Sequence, residues 1–212
     1  MKYFERVVEN VSFKFLPLVS IKDASLLGYK LIKDYSIMGQ DKEYMYSMAF
    51  EEKIFDMFAL KIFEKACKEI INKNLEKACF FYTLRFNFLN SPNDFFKKIQ
   101  EIIDKYQLRN QNFVFDIKGI EDWDLFYRDF SYIFNYKIIL KEERDSTFSL
   151  TLLEKSKASF MEPRTVDTLA FIKGNSNPSQ LLIFNLAYDE NLSLEFLKTL
   201  GVDYYYNSCL NS

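Results

Sequence analysis

The chain is 212 residues long and 49% hydrophobic, with 28 Lys and Arg against 30 Asp and Glu for a formal charge of -2. That length and apolar content suffice for one sizeable core, while the near-balanced charge gives no electrostatic reason to expect nucleic acid or an anionic membrane as partner. The chain has no histidine, which excludes Ser-His-Asp triads, Cys-His dyads and His-bearing zinc sites.

In chain order, "MKYFERVVENVSFKF" puts charges inside every apolar stretch, unlike a signal peptide. No segment approaches the roughly 18 apolar residues of a bilayer span, so a cytoplasmic protein is expected. "FLPLVSIKDASLLGYKLI" predicts a strand over 15–21, a turn over 22–25 and a strand over 26–32 that carries Lys30 among apolar neighbours. Phe50, Ile54, Phe58, Ile62, Ala66 and Ile70 recur every fourth residue, which predicts one long helix ending near 72–74. "ACFFYTLRF" reads as a buried strand and "SPNDFFKKIQEIIDKYQ" as a helix with Ser91 or Asn93 at its cap and Pro92 early. "NFVFDI" is a strand, "DWDLFYRDFSYIFN" a helix, "YKIIL" a strand, "ASFM" a weak strand and "LLIFNL" a strong one. "LSLEFLKTL" is a helix closed by Gly201, and "DYYYN" is a last strand rather than an exposed aromatic patch. This alternation argues for an α/β architecture, either a doubly wound sheet or a (β/α) barrel, and periodicity alone does not choose.

None of the five glycines forms a GxGxxG or P-loop pattern, so the common phosphate-cradling loops are excluded. The 23 Phe and 14 Tyr read as an aromatic core rather than a base-stacking platform. Cys67, Cys79 and Cys209 are odd in number and far apart, as expected of reduced thiols, and no thiolate metal site is anticipated. Short basic groups such as Lys97-Lys98 and Lys155-Ser156-Lys157 read as solvated faces.

Several ordered stretches carry a resemblance. "FLPLVSIKDASLLGYKLI" resembles the opening of EAL domains, the cyclic di-GMP phosphodiesterase family, where a "QPI" strand and a turn precede "GYEAL". "ALKIFEKACKEI", "FFYTLRFNFLNSPNDFF", "FVFDIKG" and "LKTLGVDYYYNSCL" are similar to later family segments in the same order, over about residues 13–210. The resemblance implies a single EAL-like domain over 1–212, standing alone, folded as a TIM-like (β/α) barrel with one antiparallel early strand. It also implies chemistry at the C-terminal strand ends, where acidic residues and an Asn hold Mg²⁺ or Mn²⁺ for phosphodiester hydrolysis.

At the family's functional positions the residues differ. Lys30 stands at the glutamate of "EAL", and Thr83 stands at the metal-binding asparagine, with Asn87 available only in a shifted register. Asp116 keeps a carboxylate at the "ELTE" position, followed by Lys118 and Gly119. "KEERDSTFSLTLL" aligns without gaps on "DDFGTGYSSLSYL", which puts Lys141 and Glu142 on the paired aspartates and Arg144 and Ser146 on the loop glycines. Glu162 takes the place of the family lysine; Leu186 and Asp189 fall on the two glutamates of "EGVE", and Tyr206 and Asn207 on "QG". The stretch between Arg164 and Leu181 is short, its 174–179 portion reads as a surface loop, and a helix is expected to be trimmed or missing there.

Two carboxylates exchanged for lysine at a two-metal centre add repulsion where attraction is needed, so a degenerate, non-catalytic site without cofactor is expected. Asp116, Glu142, Glu162 and Asp189 are expected to pair with Lys30 and Lys141. The resulting expectation is a regulatory module for an unidentified protein partner in bacterial signalling. The alternatives are a non-hydrolysing cyclic di-GMP receptor, with Lys30, Lys141 and Arg144 attracting phosphates, and a residual phosphodiesterase.

Overall fold

In the first hairpin, Ser20 Oγ accepts from the Lys22 and Asp23 amides and Asp23 Oδ1 accepts from the Ser25 amide, while Ala24 adopts φ 58°. This side-chain turn joins β1 (Ser12–Ser20) to β2 (Leu26–Asp34) as an antiparallel pair. The computed structural model describes residues 2–209 except 37, 38, 40, 145, 146 and 190. After a short helix α1 (Lys2–Asn10) and the hairpin come α2 (Lys42–Glu51), α3 (Phe55–Asn72), β3 (Cys79–Arg85), α4 (Pro92–Lys105) and β4 (Phe113–Lys118). The chain continues with α5 (Trp123–Asp129), β5 (Lys137–Lys141), α6 (Leu150–Lys155), β6 (Phe160–Glu162), α7 (Val166–Asn175), β7 (Leu181–Asn185), α8 (Leu194–Thr199) and β8 (Tyr204–Tyr206). The eight strands close in sequence order into a barrel. β1 runs antiparallel to both β2 and β8, and all the other pairs are parallel.

Strand residues alternate between barrel interior and helix layer. Leu16, Leu18, Phe81, Val114, Ile139, Phe160, Ile183 and Tyr206 form one buried interior cluster. The alternate positions, among them Leu31, Phe80, Tyr82, Phe113, Phe115, Ile138 and Met161, face outward into a larger core shared with α1, α3 and α4. Phe63 of α3 packs on the rings of Tyr82 and Phe113 at 5.1 and 5.4 Å. Gly28 is needed because a Cβ there would lie 2.0 Å from the Cys79 carbonyl oxygen of the adjacent strand. Among the described residues no helix is long and apolar enough to cross a membrane.

The expected single long helix is two. α2 ends at Glu51 and Lys53 takes φ 57°, so the chain turns before α3 begins. Phe50 is left 40% exposed while Phe58, Ile62, Ala66 and Ile70 are buried, so the four-residue stripe is continuous only within α3. Nor is the helix between 164 and 181 lost. Thr165 Oγ1 accepts from the Thr168 amide and starts α7, which continues through Gly174 and buries Leu169 and Ile172. The unit is short yet retains its helix. At α4, Ser91 is the cap residue without a side-chain hydrogen bond, and the Asp56 carboxylate of α3 accepts from the Asn90 and Ser91 amides.

Candidate functional site at the barrel mouth

Two residues beyond the apolar interior layer, each strand presents its next inward position, and these positions are polar. Thr83 follows Phe81, Asp116 follows Val114, Lys141 follows Ile139, Glu162 follows Phe160 and Asn185 follows Ile183. With Lys30 of β2 they gather at the C-terminal ends of the parallel strands, where TIM-type barrels place their chemistry.

Glu162 is the centre of this group, with no exposed surface. Its carboxylate pairs with the Lys30 ammonium, accepts from Tyr206 Oη at 2.7 Å and Tyr188 Oη at 3.1 Å, and lies 3.5 Å from the Lys141 Nζ. Lys30 Nζ also donates to Tyr206 Oη at 2.8 Å and lies 4.6 Å from that ring's centre. Burial by itself would raise the Glu162 carboxyl, but the two ammonium groups outweigh it and hold the group at about 2. Burial pushes Lys30 below the usual lysine range against the pull of Glu162, while at Lys141 the attraction of Glu162 overcomes burial and raises the group. The geometry is that of a buried ionic lock, two cations on one anion.

The remaining expected residues divide between this lock and its surroundings. Asp116 Oδ2 accepts from Thr83 Oγ1 at 3.2 Å and Asp116 Oδ1 lies 2.9 Å from Lys118 Nζ, which in turn pairs with Glu143. Asp116 therefore pairs with Lys118, not with Lys30 or Lys141. Glu142 follows an inward residue and so turns outward. Its carboxylate accepts from the Arg164 amide at 2.6 Å and Thr168 Oγ1 at 2.8 Å, at the start of α7. The expected pairing of Glu142 and Asp189 with the lysines is absent, since Asp189 Oδ1 accepts from the Asn191 amide in its own turn. Leu186 packs outside the barrel against the cluster of Leu169, Phe184, Leu197 and Val202. The inward position is Asn185, buried and bonded to Ser208 and the Ala187 amide, and the neighbouring hydroxyl is that of Tyr188. Alternation from Ile183 was the signal that would have found Asn185; the motif register hid it by one residue.

Asn87 is exposed in the turn after β3, and its side chain fills the space a Cβ on Gly119 would need. Arg144 is exposed in the turn after β5, and Ser146 lies outside the described residues. Of the three expected phosphate-attracting groups, Lys30 and Lys141 are therefore brought together through Glu162, and Arg144 takes no part in the lock.

The sequence matches no family model and no curated protein. Solved structures do match. The PaMucR phosphodiesterase in complex with c-di-GMP aligns at a TM-score of 0.72 and 12% identity over 95% of this chain and 96% of that one. The fold is that of EAL domains. The Bacillus subtilis YkuI protein, which has an EAL domain and is in complex with c-di-GMP and calcium, aligns at 0.71 and 13% identity over 100% of this chain and 56% of that one. The EAL enzyme Bd1971 in its cAMP- and cyclic-di-GMP-bound form aligns at 0.70 and 13% identity over 97% of this chain, which spans 64% of that one.

Proposed function

We propose that this chain is an EAL-like domain that does not hydrolyse cyclic di-GMP and acts by binding, as a regulatory module for a protein partner. The observation that carries this reading is the Lys30 ammonium locked onto Glu162 at the strand ends. Hydrolysis by this fold's route needs a divalent cation held by free oxygen ligands. Here Glu162 is engaged by two ammonium groups and two hydroxyls, Asp116 by Thr83 and Lys118, and Glu142 by the start of α7. That donor set does not fit Mg²⁺ or Mn²⁺, and no catalytic step is derived through either.

Incubation of the protein with cyclic di-GMP and Mg²⁺ or Mn²⁺ should leave the cyclic dinucleotide intact. Formation of the linear product, abolished by Asp116→Asn, would overturn the reading. A second reading, a non-hydrolysing cyclic di-GMP receptor, is favoured by one feature: two ammonium groups face one carboxylate, leaving positive charge at the mouth for a phosphate. The structural neighbours named as c-di-GMP complexes support the same ligand class. Calorimetry with cyclic di-GMP in chelator separates the two readings. Binding at micromolar ligand, lost in Lys141→Met, assigns the receptor, and absence of heat rules that reading out.

A further inference from the structure

Lys33 lies outside the barrel interior, three residues beyond Lys30, on the face of β2 that looks toward the helices. Its Nζ donates to the Thr83 carbonyl oxygen at 2.7 Å and lies 4.2 Å from the centre of the Tyr82 ring. Among the described residues no carboxylate comes within ion-pair distance of it. The nearby acids are otherwise committed: Asp116, which attracts Lys33, pairs with Lys118 and accepts from Thr83, Asp34 accepts from the Ser36 amide, Asp41 caps α2 and Glu43 pairs with Arg85. Lys33 is half-buried, and a lysine partly withdrawn from water without a counter-ion carries a cost that an anion would relieve.

The same ammonium lines a cleft of about 130 Å³ between the ends of β2 and β3 and helix α2, with Lys42, Arg85, Thr83, Tyr35 and Tyr46. Lys33, Tyr35, Tyr46 and Arg85 also line an adjoining inner chamber walled by aromatic rings, among them Phe55, Phe58 and Tyr82. Of the three cations, Arg85 pairs with Glu43, while Asp116, itself paired with Lys118, attracts Lys33 from beyond ion-pair distance. Lys33 and Lys42, neither in an ion pair among the described residues, thus line a mouth suited to an anion.

We propose that the cleft binds a small oxyanion, a phosphate group, held by the Lys33 ammonium, the Arg85 guanidinium and Lys42. The ligand is either free phosphate or a phosphate monoester whose organic part stays outside the cleft, since the inner chamber, at about 20 Å³, has room for no more than a water. Planar Arg and compact Lys donors together are a common way of holding phosphate. Burial and the Arg85 charge push Lys33 down to about 7, Asp116 pulls it up, and Lys42 pushes it down further. A bound anion supplies the missing counter-charge. The site differs from the Glu162 lock, which uses the opposite face of β2.

Titration calorimetry at pH 6.5 and low salt, first with inorganic phosphate and then with phenyl phosphate, tests this. Saturable binding below about 10 mM is expected, weakened at least tenfold in Lys33→Met and in Arg85→Met and unchanged in Lys141→Met. Exposed Lys42→Ala is the variant least able to disturb folding and should weaken binding several-fold. Tighter binding of phenyl phosphate assigns the monoester, and equal binding assigns free phosphate. No binding of either probe, or equal affinity in wild type, Lys33→Met and Lys42→Ala, would overturn the proposal.

Discussion

Removing the negative charge of Glu162 leaves Lys30 and Lys141 facing the same small volume with only hydroxyls between them. Breaking a buried ion pair by deleting one partner costs about 3–5 kcal/mol, because the surviving charge stays buried and uncompensated. Glu162→Gln is therefore expected to lower unfolding stability by that order in urea, whereas Lys30→Met should cost less, because Lys141, Tyr188 and Tyr206 still hold the carboxylate. The reverse ranking would show that Glu162 is not the hub. Acid gives a second view of the same residue. Its carboxyl stands at about 2 in the folded chain against an ordinary 4.5, so its contribution is fully present above pH 4.5 and is lost as pH falls toward 2. Stability measured by denaturant from pH 5 down to 2 should fall with a steeper slope in the wild type than in Glu162→Gln. Parallel slopes would mean that the lock is not ionic.

At the scale of elements, the approach of β2 to β3 depends on one missing side chain. A Cβ on Gly28 would meet the carbonyl oxygen, carbonyl carbon and Cα of Cys79 at 2.0, 2.6 and 2.8 Å, and backbone atoms do not give way as a flexible side chain does. Gly28→Ala should thus separate the two strands where Gly28 pairs with Cys79 and destabilise the chain by roughly 3 kcal/mol or more, within the range of severe overpacking. A melting temperature within two or three degrees of wild type would count against this contact. The strands were the legible elements, because runs such as Phe113 to Phe115 and Leu181 to Phe184 are apolar on both faces, as buried parallel strands require. Helix ends were less so. The break between α2 and α3 has no Pro or Gly to mark it, being made by Lys53 in a left-handed conformation, and Gly174 lies within α7 despite its turn-rich surroundings.

For the whole molecule, barrel closure was not legible from periodicity, which fitted a doubly wound sheet equally well; it came from ordered motif resemblance. The lock was legible only in part. Lys30, Lys141, Glu162 and Tyr206 were placed at the site by motif register and Glu162 was expected to pair with both lysines, but the bonds from Tyr206 and Tyr188 were not, since they join residues up to 176 positions apart in sequence. Closure rests on a short seam. β8 is three residues long and pairs with β1 through Val19 with Tyr205 and Ser20 with Tyr204, the seam being extended by the Ile21 amide donating to the Asp203 carbonyl oxygen at 2.9 Å. Yet Tyr206 of this strand fills the interior cluster and donates to Glu162, so the seam and the ionic centre share one residue. Ending the chain after Asp203 removes both and leaves β1 and β7 as unpaired edges, which invite intermolecular strand pairing. The shortened chain is expected to lose its sharp thermal transition by calorimetry and to associate on sizing columns. Tyr206→Phe, which keeps the strand and its apolar ring, should retain the transition with a loss of about 1–3 kcal/mol for the hydrogen bonds to a charged network. If the truncated chain melted cooperatively as a monomer, the barrel would not depend on its closing strand, and the lock would have to be held from β2, β5 and β6 with Tyr188 after β7.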